Sequence, residues 1–198
     1  MKFFIFATLF LAIIISCKKE KEFIVVLPQE TTTGQNTLGF TYNGGNVWSS
    51  IEHGIFWLYD QPDNIPNAKS TLFHEPSGYK FLQIAGKLSI KNNNAEVVRN
   101  SSILIELTDY NLFAGNFNFD TIGVSNRIVF QDAKNSKYYY NYANNTFSLN
   151  VTRIDTIQKI VSGNFSGVLF KKEGKTFFLN DSMKIQQGRF DTKYTDYY

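Results

Sequence analysis

The stretch YKFLQIAGKLSI, residues 79–90, alternates apolar and polar side chains almost without a break. A period of two buries one face only in a β-strand, because a helix would scatter the same residues around its circumference. The pattern recurs along the chain. Residues 102–108 set Ile103, Ile105 and Leu107 on one side, and residues 124–131, 137–143 and 146–154 read as three further strands. Residues 160–171 and 175–179 form a hairpin turning at Glu173-Gly174, and residues 185–194 close the series. Nearer the N-terminus, Asn43-Gly44-Gly45 is a hairpin signal and residues 49–59 read as a strand. Pro62 and Pro66 mark a loop, and KNNN at 91–94 is a turn. No segment carries an amphipathic helix of three turns. The expectation is an all-β fold: a single antiparallel β-sandwich or a partly open β-barrel.

Composition agrees. The 198 residues include 19 Phe and 11 Tyr, which suit half-buried pleated surfaces better than helices. There is one cysteine, so neither a disulfide framework nor a cysteine zinc site can form within the chain, and the core must supply the stability. The net charge is +3 with Lys2 counted, too little for the basic face of a nucleic-acid binder. Three segments share a Gly-x-Phe pattern, beginning at Gly115, Gly163 and Gly188. A glycine there permits a bulge or tight bend that the following aromatic covers, and the likeness reads as shared sheet chemistry rather than a repeat.

The lone cysteine sets the expected address. Residues 3–15 are apolar apart from Thr8, the length of a signal-peptide core and too short to span a bilayer as a mature helix. Ile14-Ile15-Ser16-Cys17 follows and resembles a bacterial lipobox. That resemblance implies cleavage before Cys17 and a diacylglyceryl group on its thiol. Two or three acyl chains, at about 0.8 kcal/mol per buried CH₂, anchor stably where one is marginal. Residues 1–16 are therefore read as a signal peptide, 17–36 as a flexible lipid-anchored tether, and 37–198 as the β domain. The tether opens with KKEKE, a solvated charge run. By resemblance to other bacterial lipoproteins, the absence of Asp at Lys18, directly after the cysteine, implies the outer membrane, with periplasmic face and cell surface both open.

LPQETTTGQNTLGFTYNGGNVW (residues 27–48) and IVSGNFSGVLF with KIQQGRFD (residues 160–170 and 184–191) together resemble a group of small Bacteroidota lipoproteins. The resemblance covers both ends of the chain. It implies a lipid-anchored β domain and carries over no catalytic residues, the family being a domain of unknown function.

Chemistry is sparse. His53 and His74 flank the proline loop, and folded together with Asp60 or Asp63 they could hold zinc, although their spacing matches no ligand motif. They support the alternative of an envelope hydrolase, metal-assisted through His53 and His74; a purely structural role is a third reading. No Gly-x-Ser-x-Gly elbow or phosphate loop occurs, and no cofactor is implied. YYYNYANN, residues 138–145, places Tyr138, Tyr140 and Tyr142 on one strand face and Tyr139 on the other. The outward face suits stacking on a glycan or contact with a partner protein. Thr121, Thr156 and Ser182 sit in Asp-Ser/Thr-aliphatic triplets that resemble the O-glycosylation signal of Bacteroidota envelope proteins. The leading expectation is a non-catalytic, lipid-anchored envelope protein that binds a glycan or a protein partner.

Overall fold

The computed structural model describes residues 24–53, 65–66, 68–78, 80–91, 97–109, 113–119, 126–133, 135–142 and 146–198. Among these the regular elements are all strands. They are β1 (Thr37–Tyr42), β2 (Asn46–Ser49), β3 (Ile51–His53), β4 (Ile65–Pro66), β5 (Ala68–His74), β6 (Lys80–Lys91) and β7 (Val97–Asp109). They continue with β8 (Gly115–Asn118), β9 (Arg127–Asp132), β10 (Lys137–Tyr140), β11 (Phe147–Asp155), β12 (Ile160–Glu173) and β13 (Thr176–Tyr197). Residues 1–16, read as a signal peptide, and Cys17, Thr121 and the turn at 92–94 lie outside the described residues.

The strands hydrogen-bond in the order β2-β1-β13-β5-β6-β7-β9-β10-β12-β11-β8, and β12 also pairs with β13. The pairing therefore runs in a ring through β13, β5, β6, β7, β9, β10 and β12. Two long strands make this possible by serving two neighbours on one edge. β12 pairs with β11 from Ile160 to Gly167, then with β10 at Phe170 and Lys171. β13 pairs with β1 from Ile185 to Asp191, then with β5 from Tyr194 to Tyr197. One layer is thus β8-β11-β12-β13-β1-β2 and the facing layer is β5-β6-β7-β9-β10. Strands that pass from one layer to the other bend at bulges. The β12–β13 register shifts at Phe165/Gly167 and again at Phe170/Lys171, where β12 leaves β11 for β10.

The fold is all-β, as the alternation requires, with two refinements. First, β13–β5 and β3–β6 are parallel in an otherwise antiparallel arrangement. Second, the two segments read as separate strands at 175–179 and 185–194 are one strand. Phe178 pairs with Lys171 and Ser182 with Phe170, so residues 179–181 form an excursion inside β13. The polar Asn180-Asp181 that interrupts the alternation is this bulge.

The core sits between the layers. Phe40 on β1 stacks on Trp48 of β2, with ring centroids 5.0 Å apart, and both meet the edge of Phe130 on β9. The Trp48 indole N–H donates to Ser101 Oγ of β7 at 2.7 Å, a bond from layer to layer in a fully buried place. A Cβ on Gly86 of β6 would lie 3.2 Å from the indole, so glycine there lets β6 approach the ring.

The Gly-x-Phe segments explain one another across the β12–β13 ladder. Gly163 is opposite Phe190, and Gly188 is opposite Phe165. A Cβ at Gly163 would stand 2.7 Å from the Phe190 ring, and one at Gly188 would stand 2.4 Å from the Phe165 ring. Each phenylalanine covers the other motif's glycine. The covering aromatic thus comes from the neighbouring strand, not from the glycine's own.

Residues 24–36 correct the expectation of a free tether reaching Asn36. Val25 is buried, and Pro28 packs on Gly39, where a Cβ would meet its ring at 2.4 Å. Residues 31–35 wrap the Asp191 carboxylate on β13. Thr31 Oγ1 donates to Oδ2 at 2.6 Å, and the Thr33, Gly34 and Gln35 amides donate within 2.8–3.2 Å. Ser162 Oγ donates to Oδ1 at 2.7 Å from β12. The apolar period used to judge packing was silent here because, apart from Val25 and Pro28, this segment is held by polar contacts, chiefly to one buried carboxylate. The packed unit therefore includes residues 25–36.

Asp191 is 1% exposed. Burial alone would push its pKa up, but the hydrogen bonds from Thr31, Ser162 and the Gly34 and Gln35 amides outweigh it and hold the carboxyl below its usual range. A folded pKa below the unfolded value of about 3.9 adds stability that is fully present above that pH. It is lost as the pH falls through the folded pKa. Asp191→Asn should cost about 3 kcal/mol at neutral pH, since it turns an amide N–H₂ toward a cluster of donors. Denaturant titrations between about pH 5 and pH 2 should show a shallower acid loss in the variant than in the parent.

Candidate functional site

Pleating decides where the tyrosines point. In β10, Tyr139 turns inward: its ring lies 6.5 Å from Phe130 and packs on the core. Its hydroxyl donates to Asp181 Oδ1 at 3.1 Å, and Lys137 Nζ lies 3.2 Å from Oδ2 of the same carboxylate. Asp181 reaches β10 because the bulge in β13 carries it there. Burial, then the Asp181 charge, raises the Tyr139 pKa, while the Asp181 hydrogen bond raises that of Lys137.

Tyr138 and Tyr140 point outward. Tyr138 is 40% exposed, and its hydroxyl accepts a bond from Gln131 Nε2. The Lys172 ammonium lies 5.0 Å over the Tyr140 ring and 5.1 Å over Phe177. Tyr142, just past β10, packs against Phe170 and Phe177. Leu179, pushed out by the bulge, is 58% exposed and completes an aromatic and aliphatic face. Two shallow grooves flank Lys172 on this face. One, of about 520 Å³, runs between Tyr138, Tyr140 and the turn at Gly174; the other, of about 490 Å³, lies between Tyr142, Phe177 and Leu179. The four tyrosines named from the sequence therefore divide. Tyr138, Tyr140 and Tyr142 share the outer face, and Tyr139 lies beneath. The alternation of YYYNY could reveal the first three; Phe177, Leu179 and Lys172 come from other strands, which periodicity within one segment cannot align.

The histidines are kept apart. His74 pairs with Lys80 at the start of β6, whereas the His53 backbone pairs with Ile90 near its end. Ten residues of strand, at about 3.3 Å each, put roughly 33 Å between those rungs. One metal ion shared by His53 and His74 does not fit that separation: sequence proximity across a loop became distant rungs of one strand. His74 has another role. Its Nε2 lies 3.0 Å from Asp196 Oδ1, Lys159 Nζ lies 2.6 Å from Oδ2, and the His74 ring stacks on Tyr198. The Lys159 and His74 contacts hold the Asp196 carboxyl below its ordinary pKa. The cluster fastens the parallel β13–β5 seam.

Of the O-glycosylation candidates, Thr156 is exposed in the turn after β11 and Ser182 is exposed on β13. Asp155 beside Thr156 accepts the Ile157 and Gln158 amides, so it also shapes that turn.

No family model, curated protein or solved structure matches this chain.

The inward and outward tyrosines should separate on substitution. Tyr139→Ser should cost about 2 kcal/mol or more, through lost packing and an Asp181 left with fewer donors. Tyr138→Ser should stay within about 0.5 kcal/mol of the parent. Paired denaturant unfolding curves check both.

Proposed function

We propose that this chain is a lipid-anchored, non-catalytic protein of the bacterial outer envelope that binds glycan through its outer tyrosine face. The observation that carries the reading is the cluster of Tyr138, Tyr140, Tyr142, Phe177 and Leu179 around Lys172 on the surface of an otherwise well-packed β domain. Contiguous exposed apolar surface of this kind marks interaction sites. Aromatic rings stack on the C–H faces of sugars while tyrosine hydroxyls and lysine donate hydrogen bonds, so chemistry favours a glycan over a dry protein contact. The lipobox at Cys17 and the resemblance to small Bacteroidota lipoproteins support the anchor and the address.

Anchoring has a direct test. Protein isolated from a bacterial host with lipoprotein-processing enzymes should begin at Cys17 and carry a diacylglyceryl mass increment, which Cys17→Ala abolishes. A mature chain that begins elsewhere, or carries no lipid, overturns the anchor.

Binding is tested by affinity electrophoresis through gels containing dextran, mannan or xylan. At least one polymer should retard the parent chain, and Tyr138→Ser with Tyr140→Ser should remove the retardation while the melting temperature stays within a few degrees. Equal retardation of parent and variant, or none for the parent in any gel, refutes the glycan reading.

A further inference from the structure

At one end of the ring the core stops short and leaves a cleft of about 260 Å³. That is room for eight or nine waters at about 30 Å³ each, or for one small ring-shaped ligand. Its walls are Tyr42 of the β1–β2 hairpin, Phe130 and Tyr139, with Trp48 at the floor. Its rim is polar: Asn43, Asn100, Asp132 and Asn135.

The rim has hydrogen-bonding capacity to spare. Ser101 Oγ accepts the Trp48 indole N–H, which leaves its own hydroxyl proton to donate. The Asn100 side-chain amide and the Tyr42 hydroxyl have no partner among the described residues. The Asn43 side-chain oxygen accepts the Lys184 amide, so its N–H₂ remains a donor. Asp132 accepts the Asn135 backbone and side-chain N–H groups, one on each oxygen, and each oxygen keeps accepting capacity. Among the described residues no lysine or arginine lines the cleft, and Asp132 is the one charged group on its rim. Aromatic walls with carboxamides, hydroxyls and a carboxylate match an uncharged ring bearing hydroxyl groups; an anion would meet the Asp132 carboxylate, and no cation among the described lining residues offsets it.

Placement ties the cleft to the tyrosine face. The turn from Asn135 to Lys137 is a common lip: Asn135 borders the cleft, and Ser136 and Lys137 border the groove beside Tyr138 and Tyr140. β10 turns Tyr139 into the cleft and its neighbours onto the face. We infer that the cleft holds one neutral sugar unit, the end or a branch of the glycan whose following units lie on the tyrosine face. This rests on the glycan reading above and adds a site that recognises a single residue.

The test is amide NMR of the isotope-labelled chain, titrated separately with methyl glycosides of glucose, galactose, mannose and N-acetylglucosamine, and with tetramethylammonium and acetate. At least one glycoside should shift the amides of Asn43, Ser101, Asp132 and Asn135 saturably. Asn100→Ala should weaken that binding roughly tenfold while the rest of the spectrum stays put. Glycosides that move only the amides of Tyr138 and Tyr140 leave the face reading intact and overturn the cleft site. Cleft amides moved by tetramethylammonium or acetate and not by glycosides overturn it as well. Cleft shifts with a glycoside, together with polysaccharide retardation indifferent to Tyr138→Ser and Tyr140→Ser, uphold the cleft and remove the face. No shift with any glycoside refutes the cleft site, and the electrophoresis then decides the face independently.

Discussion

Everything in this architecture depends on β13 having partners on both edges. Its 22 residues pair with β12 along one side and with β1 and then β5 along the other. A chain without disulfides has only packing and backbone hydrogen bonds with which to fix one layer against the next. A strand that belongs to both layers does this by connectivity, and the Trp48–Ser101 bond and the Phe40–Trp48–Phe130 cluster fill the space it defines. The bulge at residues 179–181 has a double effect. It lets β13 change course, and it delivers Asp181 to β10 and Leu179 to the surface.

The legible part of the fold was the part with a local period. The Asn43-Gly44-Gly45 hairpin, the long β6–β7 pair and the turn at Gly174 follow from alternation and turn chemistry, and the structure has each pair of strands in register. What was not legible is long-range. The parallel β13–β5 seam joins residues more than a hundred positions apart and leaves no mark in either segment. The strap of residues 25–36 is held chiefly through one carboxylate, with only Val25 and Pro28 as apolar contacts, so a hydrophobic period could not find it. The Gly-x-Phe segments lie between the two cases. The glycines announced close approach, but only the register shows that Phe165 and Phe190 exchange partners.

The candidate site divides in the same way. Alternation placed Tyr138, Tyr140 and Tyr142 together because they lie on one segment. The cleft draws on seven strands and two turns, each giving one or two side chains, and no single stretch carries its signature. The two histidines show the reverse. Neighbours across a loop in sequence, they are set by the β6 register at opposite ends of that strand.

Asp191 also sets how the domain bears a load. A pull on the N-terminal segment passes along the strap and meets the Asp191 cluster before it reaches the first rung of β1 at Thr37. Asp191 lies on a strand flanked by β12 and β1, so the force enters the middle of the sheet instead of prising up a margin. Rupture there must break several short hydrogen bonds to one carboxylate together. The strap works as a mechanical fuse in series with the domain: tension would peel Val25 and Pro28 from the core and then break the Asp191 cluster, and the length of chain released would relax the pull before the sheet begins to open.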